Sequence, residues 1–271
     1  MKSQEEQEFL SLRIVGETLV VKFRRPTHVV SWAPLNGGMR THASHIINHC
    51  VALDLKCEDP QKTLRQVASR LGIKGTFVGM MTAADVSRYS MARGVHQDLR
   101  AYAIATAGCG NLATVGETGA YVERESQPIP PGTINLIVAV NYGFTHEAML
   151  EAIAVATEAK VRTMYEFGLT SRTTGQPATG TGTDCVAVAS GHDRRYLYCG
   201  KHTKWGELIG RACLESIRGA VRAAISSEQE ESGRKPNARL AKKGTSTKPN
   251  DSFARPVRAS TAQFLKGLDH D

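Results

Sequence analysis

The sequence has few aromatic residues, no long apolar run and no closely paired cysteines. Aromatic side chains make up 6% of the 271 residues and form no stripe with basic residues, which argues against nucleic-acid binding despite a net charge of +8. No apolar run approaches the roughly 20 residues of a membrane-spanning helix. The six cysteines show no CxxC spacing, as expected for reduced core residues of a cytosolic protein.

Several common motifs are also missing. There is no GxGxxG after the first strand, no Walker loop, no GxSxG and no internal repeat, which excludes the usual dinucleotide, P-loop and serine-hydrolase signatures. The acidic, polar residues 3–8 predict no signal peptide. We therefore expect a cytoplasmic protein, with homo-oligomerisation left open.

Strand-like and helix-like segments alternate along the chain. The predicted strands are Thr18–Phe23, His28–Trp32, Thr76–Met81, Leu99–Thr106, Thr133–Asn141, Cys185–Ser190 and Tyr196–Cys199. The predicted helices are Arg40–Leu53, Pro60–Leu71, Thr145–Tyr165 and Thr203–Ile225. This order predicts an α/β or intermixed α+β fold, with a mixed sheet flanked by helices in one domain over residues 10–226. Residues 227–271 have the composition of a disordered tail.

The most informative segment is Ala178–Asp184, in which Gly and Thr alternate before an apolar strand. Glycine permits close backbone approach, and threonine supplies hydroxyls beside backbone N–H groups. The loop is suited to holding a polar ligand group, but a tight turn capped by Asp184 is an equal alternative. The candidate binding residues in this loop are Thr179, Gly180, Thr181, Gly182 and Thr183.

The helix predicted over Thr145–Tyr165 carries a lysine in an unexpected place. Glu158 lies on the polar face, whereas Lys160 falls inside the apolar arc. An unpaired lysine there is costly, so Lys160 either extends past the edge of the core or is paired in a site. We therefore include both residues among the catalytic candidates.

His202 and Thr203 stand where a strand gives way to the last helix. A helix N-terminus disfavours imidazolium, so His202 could accept a proton, and Asp184 could orient it or act as base. The alternative is a capping or surface role for His202 and a turn-capping role for Asp184. Two further loops supply candidate binding residues: Asn36, Gly37 and Gly38 in one, and Asn111 in the other.

Two other groups are weaker candidates. His42, His45 and His49 would share one face of the predicted helix Arg40–Leu53, a spacing that can hold a metal, although a polar helix face is the better interpretation. We expect no metal. Cys109 lies in a small-residue loop but has no histidine near it in sequence, which weakens it as a nucleophile.

A series of short motifs resembles the adenosylcobinamide amidohydrolase family over roughly residues 28–222. The motifs are Leu35–Gly38, Gly79–Asp85, Thr106–Gly108 with Asn111, Thr133–Asn135, Ala148–Met149, Glu151–Ile153, Ala156–Lys160, Ala178–Asp184, His202–Thr203, Gly206 and Leu208–Gly210. The resemblance implies hydrolysis of the amide between adenosylcobyric acid and aminopropanol, in the salvage of corrinoids for cobalamin synthesis. It implies a cobalt corrinoid as substrate and no separate cofactor.

The resemblance carries no residue roles, so the catalytic set Asp184, His202, Lys160 and Glu158 is inferred from residue chemistry. In that inference the Gly-Thr loop supplies backbone donors to the oxyanion, and Lys160 stabilises the oxyanion or protonates the leaving amine. The alternative from another functional class is a non-catalytic corrinoid carrier or regulator. Convergence of Asp184, His202 and Lys160 in one pocket would favour the enzyme.

Overall fold

The computed structural model describes residues 9–52, 59–118 and 132–231. In these ranges the strands, numbered β1 to β12 in chain order, are Leu10–Val15, Thr18–Ser31, Gly38–Cys50, Phe77–Thr82, Ser90–His96, Leu99–Ala107, Leu112–Ala113, Ile134–Val140, Gly143–Phe144, Gly180–Thr181, Cys185–Ser190 and Arg195–Tyr196. The α-helices are α1 (Pro60–Arg70), α2 (His146–Phe167) and α3 (Lys204–Glu231).

One mixed sheet organises the domain, in the order β4-β3-β2-β11-β8-β6-β5, with β1 paired to β2. The pairs β3–β4 and β8–β11 are parallel, and the remaining pairs of this sheet are antiparallel. Helices α2 and α3 pack on β5, β6, β8 and β11, whereas α1 packs on β3 and β4. The predicted fold class, a mixed sheet flanked by helices in one domain, is confirmed.

The central strands are buried on both faces, which explains their unbroken apolar sequence. In β8, Leu136 and Val138 face the core under α2 and α3, whereas Ile137 and Ala139 face a second core on the opposite side. The sheet curls around that second core. Asn135 Nδ2 on β8 donates to Asn48 Oδ1 on β3 at 2.8 Å, although β2 and β11 stand between these strands in the sheet.

The helices begin and end at residues that suit those positions. Asp59 caps α1 by accepting from Lys62 N, with Pro60 at the first helical position. Thr145 caps α2, and Gly168 ends it with a φ of 63°. The small-residue face predicted for α2 is buried, including Ala148, Ala152 and Ala156. None of the helices in the described ranges is long and apolar enough to span a membrane.

The predicted helix Arg40–Leu53 is wrong, because this segment forms β3 up to Cys50. Ile46 and Ile47 are both fully buried, one in the core around β2 and the other beneath α1. Because both faces are buried, apolar and polar residues do not alternate as they do in a half-buried strand. The apolar residues of this segment recur instead at a spacing that is typical of a helix.

Three further segments differ from the sequence-based predictions. Strands β1 and β5 have no predicted counterpart, and α3 continues through residues 227–231, which the composition had assigned to the tail. Residues 232–271, the rest of the predicted tail, lie outside the described residues.

Candidate active site

A buried ion pair joins the second half of α2 to the start of β11. Lys160 Nζ donates to Asp184 Oδ2, and the two side chains are only 12% and 7% exposed. The apolar stem of Lys160 runs along the buried side of α2, and its ammonium ends beside the Gly-Thr loop. The structure thus pairs this lysine in a polar site, which is one of the two alternatives left open by its helical position.

The Asp184 carboxylate accepts four hydrogen bonds. Oδ1 accepts from Ile134 N at 3.0 Å and from Thr181 Oγ1, and Oδ2 accepts from Thr181 N at 3.0 Å and from Lys160 Nζ. These four donors, one of them cationic, occupy the acceptor positions of the carboxylate and fix its orientation. The geometry therefore suits Asp184 to positioning Lys160 and the loop better than to acting as a base.

The backbone donors of the Gly-Thr loop are used within the protein. Thr179 N donates to Ala113 O at 3.0 Å, Gly182 N donates to Asn111 O at 3.2 Å, and Thr181 N donates to Asp184. Strand β10 within this loop also pairs with β7. The inference that loop N–H groups stabilise an oxyanion is not supported, because three of those groups already have acceptors.

The threonine hydroxyls and the glycines of the loop also have structural roles. Thr183 Oγ1 donates to Gly132 O at 2.9 Å, and Thr179 Oγ1 accepts from Val115 N at 2.9 Å. A Cβ on Gly180 would lie 2.1 Å from Asp184 Oδ2 and 2.6 Å from Lys160 Nζ. The alternating sequence is therefore explained by hydroxyls that tie the loop and by a glycine that makes room for the ion pair.

Two donors at this site are less constrained. An ammonium has three N–H groups, and Asp184 is the only hydrogen-bond partner of Lys160 among the described residues. Asn111 Nδ2 is buried beside Gly182 and has no partner in the same ranges. Lys160 and Asn111 are thus the groups of this site that have donor capacity left for a ligand.

The turn between β2 and β3 lies against the same loop. Trp32 Nε1 donates to Asp184 O at 2.8 Å, and half of Trp32 is exposed. Asn36 adopts a φ of 56° and donates to Phe77 O at 2.8 Å, so its amide holds the turn to β4. A Cβ on Gly37 would lie 2.6 Å from Ala33 O, and Gly38 has a φ of 79°. The Asn36–Gly38 contacts are those of a tight turn, and the turn brings Trp32 to the site.

His202, Thr203 and Glu158 lie apart from the ion pair. The exposed His202 stands at the start of α3 beside Glu151, nine residues before Lys160 on α2, which is about 13 Å along the helix axis. Thr203 Oγ1 donates to Gly200 O and accepts from Gly206 N, as a helix cap does. Glu158 forms an exposed ion pair with Lys201 at 2.7 Å. The structure brings Lys160 and Asp184 together but not His202, so the expected convergence of three residues is only partly met.

Comparison with known proteins identifies the family. The family model for adenosylcobinamide amidohydrolase matches residues 4–231, a range that contains every residue of the site. The chain belongs to the adenosylcobinamide amidohydrolase family. An adenosylcobinamide amidohydrolase of Methanosarcina mazei is 27% identical over 222 residues, covering 78% of this chain and 98% of that protein.

Two further relatives belong to other archaea. An adenosylcobinamide amidohydrolase of Halobacterium salinarum is 32% identical over 154 residues, covering 56% of this chain and 61% of that protein. A protein of Methanocaldococcus jannaschii described as uncharacterized is 29% identical over 220 residues, covering 74% of this chain and 84% of that protein. The resemblance found in the motifs is confirmed, and the family name indicates amidohydrolase activity.

His42, His45 and His49, which were considered as a metal site, do not share a helix face, because they lie on strand β3. His49 Nδ1 contacts Thr18 Oγ1 at 2.9 Å, whereas the rings of His42 and His192 are 6.4 Å apart. Burial lowers the pKa of His45 and of His49. The described ranges contain no group of three or more histidine, cysteine or acidic residues that could hold a metal.

The cysteine thiols near the site are poorly suited to nucleophilic attack. Burial raises the pKa of Cys109 to about 12 and that of Cys185 to about 11, so both remain protonated at neutral pH.

Two concavities of about 350 and 240 Å³ lie elsewhere, one near Cys50 and Asp85 and the other near Lys22.

Proposed function

We propose that the protein hydrolyses the amide joining aminopropanol to adenosylcobyric acid in adenosylcobinamide, in the salvage of corrinoids for cobalamin synthesis. The observation that carries the proposal is the buried Lys160–Asp184 pair beside the Gly-Thr loop, within the range that matches the family. Helix α2 and Asp184 hold the Lys160 ammonium beside the loop. A cation fixed in this way can stabilise the negative charge that develops on the carbonyl oxygen during amide hydrolysis.

In the proposed reaction, the oxygen of a water molecule attacks the amide carbon while the C–N bond breaks. Negative charge develops on the carbonyl oxygen, and the free N–H groups of Lys160 stabilise it. Both protons of the water pass to the leaving amine, one as the C–N bond breaks and the other from the carboxylic acid that forms, so one water is consumed and a carboxylate and an ammonium result. Asp184 is a positioning residue in this scheme, because its hydrogen bond directs the Lys160 ammonium.

The test is incubation of the protein with adenosylcobinamide and detection of released aminopropanol by mass spectrometry. We expect release by the wild type and strong loss in Lys160→Met. Glu158→Gln is the matched control, because it removes a charge from the same helix at an exposed ion pair, and should behave as the wild type. Corrinoid binding without any released aminopropanol over a range of pH would reject the enzyme.

A corrinoid carrier or regulator remains the second candidate, and one observation favours it. Among the described residues, His202 forms no hydrogen bond with Lys160 or Asp184, and the Asp184 carboxylate already accepts four hydrogen bonds, so neither is placed as a general base. A single-turnover experiment with protein in excess separates the two candidates, since a carrier retains intact adenosylcobinamide and an enzyme converts it.

A further inference from the structure

The two tryptophans of the chain have opposite environments. Trp205 is 2% exposed and packs edge-on against Phe144, with ring centroids 5.2 Å apart. Trp32 is 50% exposed and lies in the turn between β2 and β3, next to the Gly-Thr loop. An exposed indole on a tight turn contributes little to a core, so its place beside the ion pair needs another explanation.

The hydrogen bond of Trp32 fixes the orientation of its ring. Water could satisfy an exposed indole N–H, yet this one donates to Asp184 O at 2.8 Å. The bond holds the edge of the ring against the residue that pairs with Lys160. What the side chain then offers to a ligand is its flat aromatic face, because its single donor is already used.

We infer that the Trp32 face stacks on a conjugated surface of the corrinoid and orients it over Lys160, an assignment that rests on the proposed function. Two parts of the substrate have this chemistry: the adenine of the axial ligand and the conjugated corrin ring. Stacking of a base on an aromatic side chain tolerates variation in the polar groups around it. Trp32 is therefore a substrate-contacting residue that sets affinity, whereas Lys160 acts on the amide.

The test measures binding without turnover. Equilibrium dialysis with adenosylcobyric acid and with cyanocobyric acid uses ligands that lack the scissile amide, and only the first carries adenine. Trp32→Ala should raise the dissociation constant about 5- to 150-fold, the range of one stacked base. A loss confined to adenosylcobyric acid assigns the stacking to adenine, and an equal loss for both ligands assigns it to the corrin ring.

Two control variants separate stacking from structure. Trp32→Phe keeps an aromatic face and removes the N–H, so it should retain most of the affinity. Tyr198→Ala removes an aromatic residue that is 67% exposed in the segment after β12, and should leave binding unchanged. In hydrolysis assays, Trp32→Ala should raise KM with a smaller effect on kcat, the pattern of lost ground-state binding.

The outcomes distinguish this inference from the proposed function. Binding that depends on Trp32, without release of aminopropanol from adenosylcobinamide, supports the stacking and rejects the hydrolysis. Hydrolysis with equal dissociation constants for the wild type and Trp32→Ala rejects the stacking alone. Wild-type protein that binds neither ligand rejects the stacking, and the release of aminopropanol then decides the hydrolysis by itself.

Discussion

Replacement of Lys160 by methionine tests the ion pair most directly, because it keeps the apolar stem and removes the ammonium. Asp184 would retain three donors, from Ile134 N, Thr181 N and Thr181 Oγ1. Removal of one partner of a buried pair costs about 3–5 kcal/mol when the remaining charge is left unpaired. Since Asp184 keeps three donors, we expect the free energy of unfolding to fall by only about 1–3 kcal/mol, the scale of one charged hydrogen bond.

The effect of Lys160→Met on turnover should be larger than its effect on stability. Loss of an oxyanion-stabilising cation lowers kcat by about 100-fold or more. Urea unfolding followed by circular dichroism gives the stability change, and aminopropanol release by the folded protein gives the turnover. The double variant with Asp184→Asn completes a mutant cycle. It should recover part of the lost stability, because the unpaired charge is removed, but none of the lost turnover.

The reasoning fails if folded Lys160→Met releases aminopropanol within about threefold of the wild-type rate, since no transition-state contact would then have been lost. Lys160→Arg is a further check, because it keeps the charge but changes its geometry. A bulkier planar cation should fit poorly where Asp184 and Gly180 confine the ammonium. We expect Lys160→Arg to have turnover between those of Lys160→Met and the wild type.

Four other predictions concern residues around or away from this pair. Hydrogen bonds from Arg218 lower the pKa of the Glu166 carboxylate, which lies between α2 and α3. The ionised carboxylate therefore adds to the free energy of unfolding at pH values above its unfolded pKa, and this stabilisation is lost as the pH falls through its folded pKa. Glu166→Gln should therefore lower the free energy of unfolding by about 1 kcal/mol at pH 7 and by progressively less below about pH 4. Cys109→Ala should keep the wild-type kcat, and iodoacetamide should leave Cys109 of the folded protein unmodified at pH 7, because burial raises the pKa of its thiol to about 12. His202→Ala should change kcat by less than about threefold, because His202 lies beside Glu151 and forms no hydrogen bond with Lys160 or Asp184 among the described residues; a loss as large as that of Lys160→Met would place the reaction near His202 instead. Deletion of residues 232–271 should leave the melting temperature and the turnover nearly unchanged, because that segment is too polar to form a core.

Periodicity identified the helices that bury one face, and continuous apolar runs identified central strands that are buried on both faces. The apolar stripe of α3 was readable because Trp205, Ile209 and Cys213 recur on one side and are all buried. Strand β11 was placed correctly at Cys185–Ser190 because a short apolar run between polar loops indicates a buried strand. Strand β3 was misassigned because adjacent Ile46 and Ile47 are buried in different cores but polar residues flank them, so the segment has neither an alternating pattern nor a continuous apolar run.

The sequence predicted a site residue only where its position within a single helix or strand was informative. The helical position of Lys160 indicated a buried partner, and the partner is Asp184. The donors that saturate Asp184 include Ile134 N, fifty residues away in sequence, so no local pattern could reveal them. His202 stands between a predicted strand and a helix, as site residues often do, but its place beside Glu151 depends on how α3 packs along α2. Trp32 was not among the candidates, because it was placed at the end of the predicted strand His28–Trp32 and the candidate binding residues were taken from the turn that follows, Asn36–Gly38.

The saturation of the Gly-Thr loop changes what the loop can contribute to recognition. A loop whose N–H groups and hydroxyls are satisfied internally is rigid, but it has few donors left for the many amides of a corrinoid. Binding must then come from side chains around the loop: the Asn111 amide, and two groups that differ in chemistry, the aromatic face of Trp32 and the ammonium of Lys160. Both are held through Asp184, one by its backbone carbonyl and the other by its carboxylate. A single residue therefore sets the distance between the surface that would orient the substrate and the cation that would act on its amide, and Asp184→Asn should disturb affinity and turnover together.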